Sequence, residues 1–115
     1  MIRSAVASLI LLLLAAGAAA DADRQGKFRQ HADILSVCVT FTLQQTHSGL
    51  RLNLHAAEPM TLTAMTDMTE ESKIWIIEFH ETPSGVADVT LHNVKATPSD
   101  LDAVWRIVET CAKQS

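Results

Sequence analysis

The chain has none of the short motifs that mark common catalytic sites. It lacks Gly-x-Ser-x-Gly, His-Glu-x-x-His and any glycine loop of the kind that cradles phosphate. It has only two cysteines, with no Cys-x-x-Cys spacing and no His–Cys grouping, which argues against a redox or metal-binding thiol pair. No cluster of basic residues occurs along it, which argues against nucleic acid and anionic membrane surfaces as partners. Repeats, low-complexity tracts and linkers are missing too, so one small domain is expected. These absences predict a protein that is not an enzyme and carries no cofactor.

The start of the chain is more informative. Residues 1–20 hold one early cation, Arg3, an apolar run centred on Leu9–Leu14, and small residues before Asp21. That is the layout of a secretory signal peptide. A membrane anchor is the competing reading, but the apolar run from Ala5 to Ala20 is shorter than the ~20 residues a spanning helix needs. Cleavage is expected after Ala18-Ala19-Ala20, or alternatively after Ala20-Asp21-Ala22, and no cysteine stands close behind the run to accept a lipid. Removing the first 20 of 115 residues leaves 95, as a single domain over 21–115. It also removes Arg3, so 8 basic residues face 13 acidic ones, a net charge of −5. The expected location is the periplasm or the exterior, with no membrane attachment after cleavage.

Oxidising surroundings change how the cysteines read. Cys38 and Cys111 lie near the two ends of the mature domain, and an even pair in an exported chain predicts a disulfide. Closing a loop of that length is worth about 4 kcal/mol in the chain-entropy model. In a domain this small the hydrophobic core alone is marginal.

The clearest element is the stretch from Lys73 to Lys95, two alternating strands around Thr82-Pro83-Ser84-Gly85-Val86. Pro83 suits the first corner of a type I turn and Gly85 the left-handed position of the bulge that follows. That turn sets Phe79 opposite Val89, Ile77 opposite Leu91 and Trp75 opposite Asn93 on an apolar face. The other face pairs His80 with Asp88, Glu78 with Thr90, Ile76 with His92 and Ile74 with Val94. A one-residue slip would mix the faces.

Other segments complete an α+β layout. Leu50–His55 alternates as a half-buried strand, and Met60–Thr66 is a weaker one. After Thr97 as N-cap and Pro98 in the first turn, Leu101, Val104, Trp105, Val108 and Cys111 share one helical face. That C-terminal helix is expected to pack on the apolar face of the hairpin. Between Asp23 and Gln45 two periods compete. Phe28, Ala32, Leu35, Val39 and Leu43 follow a helix, expected at least through Leu35, whereas Val37–Leu43 alternates like a strand. The prediction is an N-terminal helix, an antiparallel sheet of three to five strands with a central hairpin, a C-terminal helix and one disulfide.

Two groups of residues are candidate sites. On the polar face of the hairpin stand Glu78, His80, Asp88 and His92, a His–carboxylate set of the type used for acid–base work or metal binding. The register places His80 and His92 about 13 Å apart, too far to share one ion with ligands at about 2 Å. A solvated face with two cross-strand pairs is the plainer reading. Ile74, Ile76 and Val94 beside these charges form a possible contact patch, unless they pack beneath the first helix. The second group is Met60, Met65 and Met68 with His55, thioether and imidazole donors that suit Cu(I). Met60 and Met65 differ in strand parity, and Met commonly fills gaps in a small core. The leading expectation is a non-enzymatic periplasmic binding protein, an inhibitor, immunity-type or accessory factor that meets another protein through Ile74, Ile76, Glu78, His80, Asp88 and His92. The alternative is periplasmic copper binding through the Met/His group.

Overall fold

The computed structural model describes residues 24–67 and 69–114. The expected signal segment and Met68 lie outside the described residues. The elements run in chain order as β1 (Arg24–Phe28), α1 (Ala32–Thr46), β2 (Arg51–His55), β3 (Met60–Met65), a 3-10 turn (Glu70–Ser72), β4 (Lys73–Glu81), β5 (Ala87–Asn93) and α2 (Pro98–Ala112). The strands form one antiparallel sheet in the order β1-β5-β4-β3-β2. The architecture is thus α+β, with two helices and one disulfide, Cys38–Cys111.

The hairpin has the register that its turn chemistry implies. Phe79 faces Val89, Ile77 faces Leu91, Trp75 faces Asn93 and His80 faces Asp88. Gly85 takes φ 79° and donates its amide to the Thr82 carbonyl, and the Thr82 amide donates to Val86. A left-handed glycine after a type I turn lets the two strands close without strain.

Both helices cover the same face of the sheet. Ala32, Leu35, Val39 and Leu43 of α1 join Leu101, Val104, Val108 and Cys111 of α2 in one buried cluster. That cluster meets Leu62, Ala64, Trp75, Ile77, Phe79, Val89 and Leu91, residues of one parity along each central strand. Fully burying such side chains is worth about 1.5–3 kcal/mol each against leaving them in water. The disulfide joins the helices at a Cα–Cα distance of 5.9 Å. Thr97 caps α2 as expected, accepting the Asp100 amide at 3.1 Å, with Pro98 in the first turn.

The N-terminal segment departs from expectation. No helix occupies Arg24–Phe28, which pairs with β5 as an edge strand, and α1 starts only at Ala32. Tertiary contacts override the helical spacing of Phe28. Its ring packs against Trp105 with centroids 5.9 Å apart, and Arg24 forms an ion pair with Asp102. Gly26 would cost a helix about 1 kcal/mol against Ala. A Cβ there would lie 3.2 Å from the Trp105 ring, so the glycine admits α2 close to β1.

The stretch 37–45, readable either way, is helical. Val39 and Leu43 point into the core while Val37 and Phe41 point out. The threonines that suggested a strand are accommodated by bonding back along the helix. Thr40 donates to the Ser36 carbonyl and Thr42 to that of Cys38, each at 2.8 Å.

Candidate functional site

The face of the sheet away from the helices carries the polar residues singled out in the sequence. Glu78, His80, Asp88 and His92 all lie on it, with Thr61, Thr63, Asn53 and His55 on the neighbouring strands. It does not assemble them into one centre. His92 Nε2 lies 2.6 Å from Glu78 Oε1, a diagonal cross-strand pair. His80, although opposite Asp88 in the register, turns to Glu58 in the β2–β3 connection, with Nδ1 2.6 Å from Oε1. Asp88 Oδ1 is buried without a hydrogen-bond partner among the described residues. His80 and His92 therefore serve different carboxylates, four residues apart along the hairpin. Among the described residues no group of three His, Cys, Asp or Glu side chains is placed to hold a metal ion.

The apolar members of the expected patch also separate. Ile76 stays on the open face, half-buried, and Val94 is 50 % exposed just beyond β5. Neither packs beneath α1, because α1 lies on the other side of the sheet. Ile74 leaves the patch: β4 has one extra residue between Trp75, which faces Ala64, and Lys73, which faces Met65. That bulge brings Ile74 against the core, beside Leu50, Trp75 and Val104.

The Met/His group lies on two faces. Met60 sits on the helix side, its Sδ 3.7 Å from the Ser36 hydroxyl. His55 faces Thr61, so it projects from the opposite side of the sheet and is exposed. Met65 is buried outside the main core cluster, level with Arg51 at the far end of β2. The described members do not converge.

A carboxylate with a definite task lies elsewhere, on Glu81 at the end of β4. Its Oε1 accepts the Ala32 amide at 2.7 Å, and its Oε2 lies 3.1 Å from His31 Nδ1. The start of α1 has no cap from its own N-cap side chain, so the hairpin supplies one. These bonds, the Ala32 amide first and His31 second, hold the Glu81 carboxyl below the usual glutamate range. This contact joins residues 49 positions apart, and no local pattern announces it.

The structure also reveals a surface that sequence reasoning passed over. Ile34, Val37 and Phe41 are 52 %, 59 % and 59 % exposed, three of the four large apolar residues that face solvent among the described residues. Their spacing of three and four puts them on one stripe of α1, opposite its buried side. The only charged residue on α1 is Asp33. α1 is thus apolar on two opposite stripes, one in the core and one facing solvent. The signal was present as the strand-like alternation of Val37, Val39, Phe41 and Leu43, which on a helix means two apolar faces.

Two of the clefts beside α2 are lined by charged side chains. One, of about 360 Å³, separates the C-terminal halves of the helices and is lined by Thr42, Thr46, His47, Ala103, Arg106 and Ile107, among others. The other, of about 310 Å³, gathers Lys27, Arg29 and Lys113 around Phe28, with Glu109 beside them. No protein-family model matches the chain, and no curated protein is significantly similar to it.

Proposed function

We propose that the protein is an exported, disulfide-stabilised binding module that docks another folded chain on the outer face of α1 and performs no chemistry itself. Its place is the periplasm or the exterior, and its task is inhibition, immunity or accessory support of a partner protein. The open sheet face, with Ile76, Glu78, His80, Asp88 and His92, supplies a second, polar contact area. The observation that carries the reading is the stripe of Ile34, Val37 and Phe41 on a helix whose other side already forms the core. Exposed apolar residues grouped this way mark interaction surfaces, whereas single scattered ones need no explanation. The disulfide between the helices suits an oxidising compartment.

The test has two arms. Mass spectrometry of the exported protein is expected to show a chain beginning at Asp21 or Asp23; retention of residues 1–20 would sink the export reading. Partner capture by the wild type, Phe41→Asp and Ile76→Asp, each checked for native circular dichroism, is expected to fail for Phe41→Asp and weaken for Ile76→Asp. Equal recovery by all three would remove both surfaces.

A further inference from the structure

We propose that the cleft between α1 and α2 binds a carboxylate carried on a short apolar group. This site goes beyond the docking reading of α1 and does not depend on it.

The cleft holds about 360 Å³, within the range of small-ligand sites. Ala103, Ile107 and Cys111 line it from α2, and Thr42 and Thr46 from α1. The threonines are less polar here than their type implies. Thr42, Thr46 and Thr110 each donate the hydroxyl proton to the carbonyl four residues back along their own helix, at 2.8 Å. What remains to each is a methyl group and an oxygen that can only accept. These walls therefore suit an occupant that is apolar over most of its surface. The Cys38–Cys111 disulfide ties the two helices beside the cleft, so its shape is in place before a ligand arrives.

Charge sets the rest of the ligand. No carboxylate side chain lines the cleft among the described residues, and its fixed charge is Arg106. Helical spacing offers that guanidinium two partners, Asp102 four residues before it and Glu109 three residues after it. Asp102 is taken by Arg24 of β1, and Glu109 lines the other cleft beside α2. The chain has 13 acidic residues, yet Arg106 is in no ion pair among the described residues. Its planar fork of donors matches the two oxygens of a carboxylate. His47 is already engaged at Nδ1, 2.8 Å from the Thr46 hydroxyl. An inorganic anion would use Arg106 and leave the apolar walls wet, and a hydrocarbon would do the reverse. A carboxylate on an apolar tail uses both. Two kinds of molecule carry that chemistry: a medium-chain carboxylic acid, and the C-terminal residue of a peptide when its side chain is apolar.

Calorimetric titration and amide NMR of the folded, disulfide-bonded protein test this with octanoate, with octanol, and with a short peptide ending in leucine, as free acid or as amide. Octanoate or the free-acid peptide is expected to bind with a dissociation constant of roughly 10 µM to 1 mM and to shift the amides of Thr42, Ala103 and Ile107. The uncharged counterpart, octanol or the peptide amide, is expected to bind about tenfold or more weaker. Arg106→Gln, with native circular dichroism, is expected to weaken the charged probe by about tenfold or more, and Glu109→Gln to leave it unchanged. Binding of octanoate alone identifies a free acid as the ligand, and binding of the free-acid peptide alone identifies a chain terminus; each upholds the site. The proposal is overturned if neither carboxylate binds, if the uncharged counterparts bind equally well, or if Arg106→Gln binds undiminished. Loss of the α1 docking surface in the capture experiment would leave these titrations as they are.

Discussion

α1 and α2 are both 15 residues long, lie on the same face of one sheet and are joined by one disulfide, yet they treat solvent differently. α2 buries Leu101, Val104, Val108 and Cys111 and carries Asp100, Asp102, Arg106 and Glu109 among its other positions. It is a helix completed by water. α1 buries Ala32, Leu35, Val39 and Leu43 and then presents Ile34, Val37 and Phe41 on its far side. Folding of the single chain does not require that second stripe, which is why the proposed interaction is placed on it. The comparison teaches where to look for function in a chain without motifs: at the element whose outside resembles its inside.

Removing the tie between the helices should have the largest effect. Reduction of Cys38–Cys111, or the Cys38→Ser/Cys111→Ser pair, releases a loop of 73 residues and is expected to cost about 4 kcal/mol. For a domain of this size that lowers the melting temperature by about 15–30 °C. An unchanged midpoint in calorimetry would show that the two helices hold to the sheet without the bridge.

Next come substitutions on the two sides of α1. Leu43→Ala, at a position fully buried in the core, is expected to cost about 2–5 kcal/mol in chemical denaturation. Phe41→Ser, two residues away on the exposed stripe, should stay within about 0.5 kcal/mol of wild type in dilute protein. Comparable losses at both sites would mean that the stripe is part of the folded monomer after all.

The smallest effects concern how each helix begins. α2 is capped by its own Thr97, and Thr97→Ala should cost about 1 kcal/mol at any pH where the fold persists. α1 is capped by Glu81, whose folded pKa is depressed, so its contribution is present above the ordinary glutamate value and is lost as pH falls through the lowered one. Glu81→Gln should therefore melt below wild type near neutrality and converge with it in acid. Parallel pH profiles of melting temperature would remove the charge of Glu81 from the account.

What was legible in the sequence was local. The Pro83-Ser84-Gly85 turn set the register of β4 and β5, Thr97-Pro98 announced α2, and Leu50–His55 alternated as a half-buried strand should. What escaped depended on distant partners. Arg24–Phe28 became a strand because β5 and Trp105 wait for it, and His80 turned from Asp88 to Glu58 because the β2–β3 connection passes nearby. Ile74 left the open face through a bulge that no residue type signalled. The candidate site was legible only in disguise, since a helix apolar on two sides prints the same alternation as a strand.

One feature of the sheet order bears on when the chain can fold. β1 pairs with β5, α1 takes its cap from Glu81, 49 residues onward, and Arg24 reaches Asp102 across 78 residues. The first strand and the start of α1 thus take their pairing and their cap from the last part of the chain. Contacts this distant in sequence slow folding, and in a chain delivered N-terminus first β1 has no β5 to pair with until most of the chain has arrived. For a protein proposed to cross a membrane before it functions, that arrangement suits passage of the N-terminal strand ahead of its partner.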